Sequence, residues 1–118
     1  MLSEFKLWYR CAHYYRSGPL KDDTIAVNGW KVTLSNFHAR THFDVYAEFY
    51  IDEPNNTIAI KPVAERSTHA YLMEKHKYRF GLKRIVNTLK IMSGIYPAYW
   101  DEEKKWLVFK YHTLPPPP

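Results

Sequence analysis

Two stretches of the chain repeat one residue pattern. Segments 50–61 and 99–110 each carry an aromatic residue, an apolar residue, an Asp-Glu pair, a polar tip and then alternating apolar residues that end in lysine. Asp and Asn tolerate tight turns and the flanking residues favour strands, so both stretches predict a β-hairpin. Upstream, segment 30–35 matches 78–83 with one residue of slippage. Each copy is therefore expected to run strand, helical turn, hairpin.

This repetition predicts two related halves, about 24–63 and 71–111. Half-domains of this size commonly pair as dimers to close one core, so two copies in one chain predict a pseudo-two-fold unit that needs no partner to fold. We expect a compact, β-rich α+β domain with barrel-like packing, in which each half runs β-α-β-β. The domain should span 1–114, and the prolines of 115–118 should form a mobile tail, because they cannot join a helix or a sheet.

Composition narrows the class of protein. The 118 residues suit one domain, and 17 Lys and Arg against 12 Asp and Glu give a formal charge of +5, which favours polyanionic partners. Cys11 is the single cysteine, which excludes an intrachain disulfide and suggests a reducing compartment. No apolar run approaches the roughly 20 residues of a membrane span. We expect a soluble, cytoplasmic protein.

Turn signals divide the first half. Strands are predicted at 24–27 and 30–34, joined by a type I′ turn at Asn28-Gly29, a dipeptide that readily takes positive φ. Pro62 is expected to end the first repeated hairpin.

Two helices are predicted, one after the strand at 30–34 and one after segment 71–82. Ser35 or Asn36 can cap a short helix that runs to residue 43. Segment 71–82 should supply strand, segment 83–92 should form a helix, and Gly94 should close that helix in a left-handed conformation. Alternation and helical spacing place one set of residues in the core: Val32, Leu34, Phe49, Ile58, Ile60, Phe80, Leu82, Ile85, Leu89, Leu107 and Phe109.

The segment 2–16 is rich in aromatic residues and has two interpretations. Its alternation suits a strand, which the aromatic content favours, and its spacing also suits one face of a helix. A basic and aromatic cluster there could contact single-stranded nucleic acid, or a protein partner through Trp8, Tyr14 and Tyr15. Core packing or an edge strand remains the alternative. The residues proposed for nucleic-acid contact are Arg10, Tyr14 and Arg16.

The half-unit resembles the swapped-hairpin barrels of the AbrB and MazE type. The resemblance lies in Tyr-Ile-Asp-Glu followed by Ile-Ala-Ile-Lys-Pro, within residues 50–62. Across residues 19–111, the order of elements is also similar to that of a group of small uncharacterised bacterial and phage proteins. The resemblance implies DNA binding as a transcription factor or antitoxin. The Lys-x-Gly-Arg/Asn and Arg-x-Pro signatures of AbrB-type proteins are missing, so it supports the fold better than the function.

A basic stripe between Glu74 and Lys90 is the main candidate site. It places six cations against one acid, interleaved with aromatic residues. Such a stripe could neutralise several phosphates. The alternative is the solvated face of an amphipathic helix and its leading strand. The candidate nucleic-acid-binding residues are Lys75, Lys77, Arg79, Lys83, Arg84 and Lys90.

Signals for catalysis or metal binding are weak. His38 and His42 are spaced i, i+4, which suits a metal on a helix, but no acid or cysteine completes a known motif. Asp52-Glu53 and Asp101-Glu102-Glu103 fall at predicted hairpin tips, where acids are ordinary turn residues. We predict no catalytic residue, no metal and no cofactor.

The predicted function is non-catalytic nucleic-acid binding of a transcription-regulator type, with duplex DNA favoured over RNA. The alternative is a small phage-type protein-interaction module, or an inhibitor of a host nucleic-acid enzyme. A nuclease comes third. Both a monomer and a homodimer fit the sequence, and no membrane partner is expected.

Overall fold

The computed structural model describes residues 20–115. Its strands are β1 (Thr24–Asn28), β2 (Lys31–Leu34), β3 (Tyr46–Asp52), β4 (Thr57–Val63), β5 (Tyr71–Leu72), β6 (Arg79–Gly81), β7 (Gly94–Asp101) and β8 (Trp106–Lys110). Its helices are α1 (Asn36–His42) and α2 (Lys83–Leu89), and a 3-10 turn, Glu53–Asn55, joins β3 to β4. The predictions for 2–16 and for the end of the proline tail lie outside the described residues.

The strands form one antiparallel sheet in the order β5-β3-β4-β8-β7-β1-β2-β6. The two end strands, β5 and β6, approach each other, and an isolated bridge joins Glu74 to Arg79 beside them. The sheet is therefore barrel-shaped and nearly closed. This confirms the expectation of a β-rich, barrel-like fold. No helix within residues 20–115 is long and apolar enough to cross a membrane.

Alternate residues of the strands fill the inside of the sheet, as the pleat requires. Of the predicted core, Phe49, Ile85 and Leu89 are half-buried and pack against the rest. The others are buried: Val32, Leu34, Ile58, Ile60, Phe80, Leu82, Leu107 and Phe109. The predicted core is confirmed.

The two repeated stretches form hairpins with the same register. Asp52 pairs with Thr57 across the first turn, and Asp101 pairs with Trp106 across the second. The second strands of the hairpins, β4 and β8, are neighbours. The two hairpins therefore lie side by side.

The turn between β1 and β2 differs from the prediction. Asn28 pairs with Lys31, so the loop consists of Gly29 and Trp30 rather than Asn28 and Gly29. Gly29 alone of the two has positive φ, at 61°, which is the pattern of a type II′ turn and not of type I′. This register leaves Trp30 in the loop, where its ring meets Lys83 instead of entering the core.

Pro62 does not end its strand, which continues to Val63. It pairs with Ala47 on β3, whereas β8 pairs with β4 only from Thr57 to Ile60. At Pro62 the strand is therefore an edge on one side, where a missing N–H leaves no neighbour unsatisfied.

The end of α2 also differs from the prediction, because Lys90 takes the left-handed conformation and Gly94 begins β7. The N–H of Ile91 donates to the carbonyl of Val86 at 3.1 Å, and the Ile91 side chain is buried. Burying Ile91 fixes where the helix stops, so a lysine accepts a conformation that glycine prefers.

Helix α1 begins as predicted. The Ser35 hydroxyl accepts the N–H of His38 at 3.2 Å and donates to the carbonyl of Asp22 at 3.0 Å. Ser35 is buried, so this cap also anchors the helix to the chain before β1.

Candidate nucleic-acid interface

The predicted basic stripe follows the turn after β5, then β6, then the first turn of α2. Lys75 and Lys77 are exposed in the turn, and Lys83 and Arg84 are exposed on α2. Arg79 is half-buried on β6. The stripe is thus outward-facing, with Arg79 as its least accessible cation.

A tight turn presents the two lysines. The carbonyl of Glu74 accepts the N–H groups of Lys77 and Tyr78, at 3.2 and 2.7 Å. Tyr78 has a φ of 52°, so the chain reverses here instead of running as one strand. The prediction of continuous strand over 71–82 was wrong at 73–78, because this turn closes on a backbone carbonyl that no sequence pattern marks.

Glu74 is the acid that the stripe contacts. Arg79 Nε donates to its carboxylate, and Lys31 Nζ lies 3.5 Å from Oε1. The hydrogen bond from Arg79, with the nearby charge of Lys31, lowers the pKa of the Glu74 carboxyl. The carboxylate is therefore ionised at neutral pH, and Arg79 is held by an internal partner.

Lys83 has an aromatic contact. Its Nζ lies 4.4 Å from the centre of the Trp30 ring, a cation–π geometry. Lys83 and Arg84 fall in the first turn of α2, which carries no acid and no side-chain cap. Cations at this end oppose the helix dipole, so the local arrangement does not favour them.

Two further cations join the same surface, and sequence reasoning missed both. Lys31 lies on this surface because its strand, β2, pairs with β6. Arg40 on α1 lies there because its Nε donates to the Tyr78 hydroxyl at 3.0 Å. The match between segments 30–35 and 78–83 was the signal that could have found Lys31. We call this surface the basic face: Lys31, Arg40, Lys75, Lys77, Arg79, Lys83 and Arg84.

The remaining predicted residues are elsewhere. Lys90 follows the last turn of α2, about 10 Å along the helix from Lys83 at 1.5 Å per residue. Its backbone carbonyl accepts the N–H of Leu114 at 2.8 Å, which ties it to the chain after β8. The candidates Arg10, Tyr14 and Arg16, and the protein-contact candidates Trp8 and Tyr15, lie outside the described residues.

The histidine pair of α1 packs on an aromatic residue. His42 stacks on Trp100 with ring centres 3.7 Å apart and planes 4° apart, and His38 lies 5.9 Å behind it. Burial lowers the pKa of both, and for His38 the proximity of His42 lowers it further. Among residues 20–115, no group of three or more His, Cys, Asp or Glu side chains could hold a metal ion.

The acids at the hairpin tips have turn contacts. Asp52 accepts the Asn55 amide at 2.9 Å. Asp101 accepts the backbone N–H groups of Glu103 and Lys104 at 3.0 and 3.1 Å. These are the contacts expected of ordinary turn residues.

Comparison with protein-family models, curated proteins and solved structures found no match to the chain.

Proposed function

We propose that the protein binds nucleic acid without catalysis, through the basic face, and that its partner is duplex DNA. One observation carries the proposal: Lys75, Lys77 and Arg84 are exposed on neighbouring segments, while the nearby acid, Glu74, is already neutralised by Arg79 and Lys31. Cations held together without an acid repel one another, and phosphate groups would relieve that repulsion.

The aromatic rings of the basic face favour a duplex over a single strand. Single-strand binding uses exposed rings on which bases stack. Here a cation already lies beside each ring: Lys83 Nζ is 4.4 Å from the centre of Trp30, and the Arg40 guanidinium is 5.8 Å from the centre of Tyr78. Contact with backbone phosphates needs neither ring, so it suits this surface better than base stacking.

We further propose that the chain consists of two related halves, about 24–63 and 71–111, and serves a transcription-regulator-like role. Each half runs β-β-α-β-β rather than the expected β-α-β-β, because two strands precede each helix. The sheet order supports a relationship, because β4 neighbours β8 and β2 neighbours β6. Each helix also connects equivalent strands, α1 joining β2 to β3 and α2 joining β6 to β7. This arrangement is the one that the resemblance to AbrB-type barrels implies.

The test is a binding titration with duplex DNA, single-stranded DNA and RNA, at about 50 and about 200 mM salt. We expect the duplex to bind most tightly and the affinity to fall log-linearly with salt. In a triple variant, Lys75→Ala, Lys77→Ala and Arg84→Ala, the salt slope should flatten by about one unit per lost phosphate contact.

A charge-matched control separates this face from the net charge. Lys61, Lys104 and Lys110 lie on β4, on the turn before β8 and on β8. Replacing these three with alanine removes the same charge and should leave most of the affinity. Equal losses in the two triple variants, or no binding to any nucleic acid at low salt, would overturn the proposal and favour the protein-interaction alternative.

A further inference from the structure

The outer surface of the four strands β3-β4-β8-β7 has a recessed floor. Ala59 on β4 pairs with Val108 on β8, and both side chains face away from the core that Ile58 and Phe109 enter. Each is nevertheless only 7% exposed. Larger side chains on both sides of this pair therefore shield it.

Aromatic rings form the walls. Tyr50 pairs with Ala59 on one side, and Tyr99 pairs with Val108 on the other. The two tyrosines are 45% and 61% exposed, so their rings stand in solvent. Trp106 leans on Tyr50, with ring centres 5.5 Å apart and planes tilted by 48°. The space between has a volume of about 370 Å³.

Two carboxylates line the same cavity, Asp52 and Asp101. The hairpin turns use Oδ2 of Asp52 and Oδ1 of Asp101, which leaves the second oxygen of each carboxylate free of those turn contacts. Lys104 also lines the cavity, beside Ile51 and Thr57. The lining thus combines aromatic rings, a small apolar floor and two acids against one cation.

We propose that this cavity binds a quaternary ammonium group. The negative faces of aromatic rings attract organic cations, and Trp and Tyr are the strongest such partners. Carboxylates add charge complementarity, whereas they repel a phosphate or a carboxylate ligand. Methyl groups on the cation would rest on Ala59 and Val108, a floor that offers no hydrogen bond to a hydrated metal ion.

This site is separate from the basic face. It lies on β3, β4, β7 and β8, while the basic face lies on β2, β6, α1, α2 and the turn after β5. The two proposals can therefore be tested independently. Absence of nucleic-acid binding would not overturn the cation site, and absence of cation binding would not overturn the proposed function.

The experiment is a titration of the whole chain with choline, and with 3,3-dimethyl-1-butanol, which has the same shape without the charge. Binding is followed by calorimetry and by the assigned indole N–H signal of Trp106. We expect choline to bind about tenfold more tightly than the neutral isostere, in line with cation–π attraction at a partly exposed site. A trimethyllysine peptide and its unmethylated form then show whether the group comes from a small molecule or a side chain.

Variants locate the site. Tyr50→Leu and Trp106→Leu should each weaken choline binding several-fold, and Asp101→Asn should weaken it while keeping the oxygen that caps the turn. Trp30→Leu is the aromatic control, because that exposed ring lies against Lys83 and does not line the cavity. Equal affinity for choline and its isostere, no binding of either, or an equal loss in Trp30→Leu would overturn the proposal. Circular dichroism establishes that each variant is folded.

Discussion

Ala59 of β4 lies directly opposite Val108 of β8, at the centre of the two hairpins. Ala59 and Val108 are separated in the sequence by the same number of residues as Tyr50 and Tyr99, and as Asp52 and Asp101. A row of four outward residues, Tyr50, Ala59, Val108 and Tyr99, therefore crosses the sheet with matching residues at its two ends. This relationship makes the equivalence of the hairpins testable.

Asn56 and Lys105 are the last turn residues of the two hairpins, and substituting them should change the stability in opposite directions. Both have positive φ, 49° and 59°, a conformation that costs most L-residues about 1 kcal/mol and that Asn tolerates better. Lys105→Gly should raise the free energy of unfolding by up to about 1 kcal/mol, and Asn56→Lys should lower it by a similar amount. Urea unfolding measures both. Lys105 loses an exposed ion pair with Glu102 in this variant, which is worth little.

The whole turn should be transferable. Replacing residues 102–105 with the sequence of 53–56 keeps a glutamate at the position where Glu102 accepts the Trp100 indole N–H, and it places Asn where Lys105 is strained. We expect a folded protein whose stability is within about 1 kcal/mol of the original or above it. The same graft with lysine kept at position 105 is the control, because it leaves the strained residue of positive φ unchanged. Equal stability of the two grafts would contradict the equivalence of the turns.

Local patterns predicted the hairpins and the core well, because alternation and turn residues act over a few neighbours. The predicted inward residues Ile58, Ile60 and Leu107 are buried because period-two alternation needs no knowledge of which strand lies next door. The Ser35 N-cap could be predicted from the sequence because it also depends only on near neighbours, the N–H of His38 above all.

The sequence predictions failed where contacts with a distant part of the chain determine the local structure. Pro62 continues its strand because β8 stops short of it. Helix α2 stops at Lys90 rather than at Gly94, and the residue that follows, Ile91, is buried in the core. The candidate site follows the same rule. Lys75 and Lys77 were found from their own segment, but Lys31 and Arg40 join them only through the pairing of β2 with β6 and the packing of α1.

Stability should fall in mild acid because of the α1 histidines. Burial lowers the pKa of His38 and His42 in the folded state, below the ordinary value of about 6.5. Below that pH the unfolded chain takes up protons first, so the free energy of unfolding falls as pH drops toward the folded-state pKa values. Above it, both states are neutral and the histidines contribute no slope.

Thermal unfolding between pH 5 and pH 8 measures this effect. His38→Leu should flatten the profile, because it removes a buried ring whose two nitrogens have no hydrogen-bond partner in the part of the chain that the structure describes. His69→Leu, at an exposed site in the loop before β5, is the control and should leave the slope unchanged. An unchanged slope in His38→Leu would assign the pH dependence to other groups.

Neutralising Glu74 should strengthen DNA binding. In the native protein its carboxylate engages Arg79 and Lys31, and the hydrogen bond from Arg79 keeps its pKa low, so the negative charge persists at neutral pH. Glu74→Gln removes that charge and releases both cations toward phosphate. The salt slope of duplex binding should then steepen, by up to about two units if each cation gains one contact. Glu102→Gln removes the same charge from an exposed pair with Lys105 on the second hairpin and should leave the slope unchanged. Weaker binding in Glu74→Gln alone would mean that the ion pairs hold the basic face in its binding shape.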